Sequence, residues 1–313
     1  MISTSEEKEL NQLALAAWRA LGGVVEMIRD SPASNRSVAN SAAKFPDGLT
    51  MPPVMRVDTI RTEAGPRIVE IDPITAISLG ETVALTEIWS EQGYAVPGGV
   101  LDAIRQSLPV DEKKIALTIP SVKSEYESEL NFLIDSLAEA GIEYDENATQ
   151  LSAFNDVASV RRGINKNGWD KERNPLWGSL VGLADKTNLG MLVSGDKIDF
   201  PKYLPREYTR EDMPDLREDA VIIAKPLKGS GSVGIAATTP NGALRLPDGY
   251  MFQEKFEVLS DDFGIGGEWA SRVSIYAGRY GLMGAQVTAR RKNENFTNVH
   301  GQSDAVQTTL AVE

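Results

Sequence analysis

Lys225 closes an apolar run, Val221-Ile222-Ile223-Ala224, and is followed by Pro226 and the stretch Gly229-Ser230-Gly231-Ser232-Val233-Gly234. Glycines let successive backbone N–H groups converge on one anion, and a lysine ammonium adds a compact charge, so this segment is a candidate phosphate cradle. Taken literally, the stretch also satisfies the G-x-G-x-x-G spacing of a dinucleotide-binding turn. Such a turn must open a helix, whereas Ile235 to Thr239 leads into Pro240-Asn241-Gly242, which predicts a hairpin tip with a turn behind it. The P-loop pattern fails because no Gly-Lys-Ser/Thr follows the glycines, and the kinase pattern fails because no His-Arg-Asp occurs. A plain glycine-rich turn is the competing structural reading. Downstream, Tyr250 to Glu257 alternates apolar residues with Gln253, Glu254 and Glu257, the pattern of an edge strand beside a base and ribose.

A second group lies at residues 56 to 72. Asp58 is placed at the end of one strand, and Glu70 and Asp72 stand two apart on the next, so they share a face. Three carboxylates there would offer the oxygen ligands that Mg²⁺ prefers, in the company of phosphates. Arg56, two before Asp58, could balance that charge or clamp a phosphate. An acidic, solvated face is the plainer alternative. Lys186, on a predicted helix, and Trp169 and Trp177 around Asn174-Pro175 are weaker candidates, since such residues more often serve as surface or packing.

Elements must hold these groups in place. Thr4 with Glu7 reads as a capping box, and Leu10, Leu13, Trp18, Leu21, Val25 and Ile28 continue at helical spacing to about residue 28. Ser31 to Pro53 is rich in Ser, Asn, Pro and Gly and predicts a loop. Val54 to Ile60 and Pro66 to Ile71 predict a β-hairpin about Glu63-Ala64-Gly65. A helix is expected over 80–92, a strand over 113–120, a helix ending near Gly141 and a strand at Ile142 to Tyr144, together a small α/β lobe. Asn174 to Leu192 reads as helical and loop-rich. Strand-like runs follow at 221–224, 235–239, 250–256, 272–276 and 282–290, predicting an antiparallel sheet with helices on one face.

Composition narrows the function. The chain has 313 residues with 42% hydrophobic and 25% charged, an ordinary globular balance of one large or two closely packed domains. Lys and Arg number 32 against 45 Asp and Glu, a net charge of −13, so nucleic acid is not expected as a partner. With no cysteine, thiolate nucleophiles, zinc–thiolate sites and disulfides are excluded. His300 is the single histidine, and no nucleophile elbow accompanies it. No basic-then-apolar leader opens the sequence and no run approaches a membrane span, so a cytoplasmic protein without a membrane partner is expected.

Taken in order, these residues resemble the ATP-grasp superfamily. Lys186, Lys225-Pro226 with the Gly/Ser loop, Gln253-Glu254, Arg290-Arg291 and Asn298 are similar to its nucleotide-binding half. Arg56-Val57-Asp58 and Glu70-Ile71-Asp72, lying ahead of them, resemble the metal hairpin of the circularly permuted type found in the synthetase domain of glutathionylspermidine synthase. The resemblance implies an α+β / α/β, circularly permuted ATP-grasp-like fold: antiparallel sheets with helices plus a small α/β lobe. It divides the chain into residues 1–110 with the metal-binding hairpin, a lobe at 111–155, and a nucleotide-binding region at 156–313.

The resemblance also implies roles. Lys186 and Lys225 would contact ATP phosphates, the Gly229 to Gly234 loop would form the lid, with Lys228, Gly229, Ser230, Gly231 and Ser232 as nucleotide-binding residues, and Gln253 and Glu254 would form the adenine hinge. Asp58, Glu70 and Asp72 would hold Mg²⁺, and Arg56 with Arg290 or Arg291 would stabilise the transferred phosphoryl group. The activity implied is ADP-forming ligation of a small carboxylate to an amine through an acylphosphate, by a monomer or homodimer. Two departures stand out: Asp72 replaces the more usual Asn, and the glycine loop lacks an arginine, Lys228 being nearest. A nucleotide-binding pseudoenzyme or a non-ligase phosphotransferase is therefore the alternative, and a dehydrogenase using the literal glycine pattern is a further one.

Overall fold

The computed structural model describes residues 1–30, 51–72, 78–107, 114–118, 127–144, 158–161, 200–227, 234–261, 263, 266–292 and 305–313. It mixes helices with antiparallel sheets, an α+β arrangement, and adds a small parallel sheet.

Helix α1 (Thr4–Asp30) forms where the sequence predicts it. Its cap lies one residue upstream of the expected Thr4 and Glu7. The Ser3 backbone N–H donates to Glu6 Oε2 at 2.9 Å, and the Glu6 N–H donates to Ser3 Oγ at 3.2 Å, so two otherwise orphaned amides satisfy each other's residues. Thr4 instead donates its hydroxyl to the Glu313 carbonyl at 3.1 Å. The chain ends are thus tied together, with Ile2 bridged to Val312 and Val312 to Ala95.

Strands β1 (Met55–Thr62) and β2 (Gly65–Asp72) form the expected hairpin, whose turn places Gly65 at φ +91°, a conformation that costs a glycine little. The late strands do not form one sheet. Strands β10 (Trp269–Gly278), β11 (Gly281–Arg291) and β12 (Val306–Thr308) join the hairpin in a five-stranded sheet of order β12-β11-β10-β1-β2, antiparallel at every junction. Strands β6 (Glu207–Tyr208), β7 (Ile222–Pro226), β8 (Ala236–Thr238) and β9 (Tyr250–Glu254) form a separate sheet of order β6-β9-β7-β8.

The five-stranded sheet has two unlike faces. Val57, Val273, Ile275, Ala285 and Val287 pack against Leu13, Ala14, Ala17, Leu21 and Val24 of α1. The alanines let the helix approach the strands closely, and each fully buried Val, Leu or Ile contributes about 1.5–3 kcal/mol. The alternate residues point the other way, and one end of that face is covered by α2 (Leu79–Glu91), α3 (Val100–Ser107) and α4 (Glu127–Glu139). Here Tyr276, Val54 and Met283 meet Leu79, Val83, Ile104, Leu133 and Leu137. A Cβ on Gly80 would lie 2.1 Å from the Glu129 carbonyl oxygen, so only glycine permits this approach of α2 to α4.

The expected α/β lobe is present as β3 (Lys114–Thr118) and β4 (Glu143–Tyr144), which pair in parallel across α4. Neither α3 nor β5 (Ala158–Arg161), which pairs in parallel with β3, was anticipated. The loop expected over 31–53 lies outside the described residues for 31–50, as does the helical segment expected over 174–192. Among the described residues no helix is long and apolar enough to cross a membrane.

Candidate functional site

The strands on either side of the glycine motif pair with each other, as its context required. β7 and β8 pair antiparallel with Ile222 opposite Thr238 and Ala224 opposite Ala236. The turn expected at Pro240-Asn241-Gly242 is instead a short helix, α5 (Pro240–Leu244), because Thr239 caps it by accepting the Gly242 N–H at 3.2 Å. Lys186, Lys228, Gly229, Ser230, Gly231 and Ser232 lie outside the described residues, as do Asn298, His300, Trp169 and Trp177.

Strand β9 is not an edge strand: it lies between β6 and β7. Its two candidate residues therefore part company. Gln253 lies opposite Ile223 on the face shared with Lys225, is 1% exposed, and donates through Nε2 to Glu207 Oε1 at 3.4 Å. Glu254 faces the other way, is exposed, and accepts the Arg206 N–H at 3.3 Å, so its side chain does not join the Lys225 face.

The Lys225 ammonium donates to the Val69 carbonyl at 2.8 Å. That carbonyl is available because the β1–β2 register slips there. Asp58 pairs with Glu70 and Thr59 with Ile68, leaving Val69 as the extra residue of a β-bulge. The bulge brings the phosphate-binding candidate of the small sheet onto the hairpin of the large one. The same junction is bridged by the Leu259 N–H donating to the Arg61 carbonyl at 2.9 Å, and by Arg67 stacked 5.7 Å over Phe256.

Register places Arg56, Asp58, Glu70 and Asp72 on one face, with Arg56 opposite Asp72 and Asp58 opposite Glu70. Asp58 stands in the middle of β1 rather than at its end, and it is 1% exposed. Its Oδ1 accepts the Ser274 hydroxyl at 2.7 Å and lies 3.0 Å from Arg56 Nε, while Oδ2 lies 3.1 Å from Arg272 Nη1. Arg56 Nη2 is 3.9 Å from Asp72. Burial alone would lower the Arg56 guanidinium, but attraction to Asp58 and Asp72 outweighs it and holds the group above its ordinary value. The expected convergence of three carboxylates is replaced by alternation of charge. Arg56 stands between Asp58 and Asp72, and among the described residues no three Asp, Glu or His side chains gather closely enough for a metal ion.

The two arginines at the end of β11 are resolved by parity. Arg290 lies opposite Ala270, in line with Gln286 and Thr288 on the face of Asp58. Arg291 lies opposite Trp269 on the other face and stacks on its ring at 5.3 Å.

Several polar residues on this face were not singled out in the sequence: the buried Ser274, Tyr276, Gln286 and Thr288 and the partly buried Arg272, with Glu81 above them. Gln286 Nε2 donates to Glu81 Oε2 at 2.6 Å, fixing α2 over β11. Burial pushes the Tyr276 phenol up, so it is neutral across physiological pH. The signal was available as period-2 alternation in Arg272-Val273-Ser274-Ile275-Tyr276 and Gln286-Val287-Thr288-Ala289-Arg290. Such alternation ordinarily marks a solvated face, and only the covering elements make it interior.

Chemically, the arrangement is a junction where a lysine of one sheet meets the hairpin of another sheet, one face of which carries Arg56, Arg272 and Arg290. Guanidiniums on such a face can bind and orient the oxygens of an anion. No family model matches the chain, and no curated protein matches it. Among solved structures, a Methylobacillus flagellatus KT protein provisionally described as a gamma-glutamylcysteine synthetase aligns at 10% identity and TM-score 0.49, over 94% of this chain and 88% of that one.

Proposed function

We propose that the chain is an ATP-dependent ligase that joins a small carboxylate to an amine through an acylphosphate. The observation that carries this reading is the Lys225 contact with the Val69 bulge at 2.8 Å, which sets a phosphate-binding lysine against the hairpin bearing Arg56, Glu70 and Asp72. Phosphoryl transfer needs no protein nucleophile. It needs cations fixed in advance where the equatorial oxygens gather charge, and Arg56 and Arg290 occupy the face that could do this. In this reading Lys225 binds a phosphate, Gln253 lies beside the base, and residues 156–313 supply the nucleotide site completed by the hairpin of residues 1–110, with 111–155 as the lobe.

Magnesium fits part of the donor set. Asp58 is committed to Arg56, Arg272 and Ser274. Glu70 and Asp72, both partly exposed, would hold the ion, because Mg²⁺ needs only one or two carboxylates when phosphates complete its shell. The ion would supply charge neutralisation on the phosphates. Arg56, tethered by Asp58 and Asp72, orients the transferred group, and neutral Tyr276 adds no charge to the buried face.

One observation favours the second reading, a nucleotide-binding protein without ligase chemistry: the acidic residues alternate with Arg56 rather than converging. The test is a thermal-shift titration with Mg·ADP and, separately, NAD, on wild type and Lys225→Ala. Saturation near 100 times Kd stabilises by about 2.7 kcal/mol, a shift of several degrees. A Mg²⁺-dependent ADP shift that Lys225→Ala abolishes supports the nucleotide site, and ADP release with an acid and amine panel then separates ligase from pseudoenzyme. No ADP shift, or a larger NAD shift, overturns both. Partners in this proposal are small molecules alone, acting on a cytoplasmic monomer or homodimer.

A further inference from the structure

We propose that Arg272 and Thr288, directly opposed on β10 and β11, form an oxyanion subsite that takes a phosphoryl group. Their register is a cross-strand pair, so the two side chains stand side by side on the charged face of the sheet. Arg272 supplies the charge. Its side chain is 12% exposed, and Nη1 lies 3.1 Å from Asp58 Oδ2, which fixes the direction of the guanidinium fork.

Thr288 supplies an open hydrogen bond. It is 2% exposed, and its Oγ1 has no hydrogen-bond partner among the described residues. The other buried threonines of this region do not share that condition. Thr59 donates to the Val273 carbonyl at 2.9 Å, and Thr309 donates to the Ala285 carbonyl at 2.7 Å. A hydroxyl left unsatisfied in the interior is costly, and valine would fill the same volume without that cost. A hydroxyl beside a fixed guanidinium is instead suited to an incoming oxyanion, to which it donates. Farther along β11, Arg290 continues the row on the same face and is only partly buried, leaving a charged approach.

The subsite stands on β10 and β11 alone. Its assignment to the terminal phosphoryl group of a nucleoside triphosphate, rather than to free phosphate, rests on the ligase reading.

The experiment compares wild type, Thr288→Val, Thr288→Ser and Arg272→Gln by calorimetric titration with inorganic phosphate, Mg·ADP and the β,γ-imido analogue of ATP, with a melting temperature for each. Thr288→Val is expected to melt at or above wild type while binding phosphate roughly tenfold more weakly, and Thr288→Ser to retain binding. A lower ratio of analogue to ADP affinity in Thr288→Val assigns the subsite to the nucleotide. Loss of phosphate binding with that ratio unchanged assigns it to free phosphate and removes its link to ligation. Wild type that binds neither phosphate nor analogue, or Thr288→Val that binds as wild type does, overturns the subsite. Failure of wild type to bind ADP while phosphate binding persists overturns the ligase reading and leaves the subsite standing.

Discussion

The two faces of the five-stranded sheet are built from the same strands in the same alternation, yet they are stabilised by different physics. Toward α1 the contacts are Val57, Val273, Ile275, Ala285 and Val287 against an alanine-rich helix, non-directional burial that scales with area. On the other side the strands carry Arg56, Asp58, Arg272, Ser274 and Gln286, where each group depends on a particular partner. The first face can lose a methyl group and repack. The second cannot lose one member without leaving another charged or polar group buried, which makes it suitable for a site and expensive to keep.

Removing the shared anion is the most severe way to test that difference. Asp58→Ala leaves Arg56 and Arg272 without the carboxylate between them and is expected to cost about 3–5 kcal/mol in urea unfolding. A loss below about 1 kcal/mol would show that the guanidiniums are held by something else. On the opposite face, Ile275→Ala at a fully buried position is expected to cost about 2–4 kcal/mol through lost burial and a cavity. The ADP affinity of the protein that remains folded should not change. If affinity falls with stability, the faces are not independent.

Where the first turn of α1 meets β1 the effect is smaller and depends on pH. Burial tends to raise Glu6, but hydrogen bonds from Ser3 and the pull of Arg61 outweigh it and leave the carboxyl below its ordinary value. A depressed carboxyl adds stability above its unfolded pKa and loses it as pH falls through the folded one. Glu6→Gln should therefore cost about 0.5–1 kcal/mol at neutral pH and nothing once the medium is more acidic than the ordinary carboxylate range, as followed by thermal melts across pH. The smallest effect has the opposite sign. Burial, then Glu139 and Glu91, raise Glu87 on α2, so its ionised form is penalised at neutral pH and relieved in acid. Glu87→Gln is expected to stabilise by a few tenths of a kcal/mol at pH 7 and by nothing in acid, measured in the same way.

Much of the local structure was legible beforehand. Helical spacing located α1 and α2, alternation located β1 and β2, strand-like runs located β7, β10 and β11, and the absence of a helix after the glycine motif indicated a hairpin. Short elements escaped: β6, β12 and β5 run two to four residues, too few for a period to register. The site was legible as residue types and illegible as partnerships. Register puts Asp58 on the face of Glu70 and Asp72, but its engagement by Arg272 joins residues far apart in the sequence. Likewise Gln253 and Glu254 read as one motif, although adjacent strand residues point to opposite faces and only Gln253 shares the face of Lys225.

The sequence by itself determined the charge balance, the absence of thiol chemistry, the elements with clear periodicity and the residue types able to meet a phosphate. Each follows from composition or from spacing within a dozen residues. The tertiary structure decided which strands share a sheet, which of Arg290 and Arg291 turns toward Asp58, and that a polar alternation is interior rather than solvated. Register and burial are set by what covers a strand, and residues distant in the chain provide that cover.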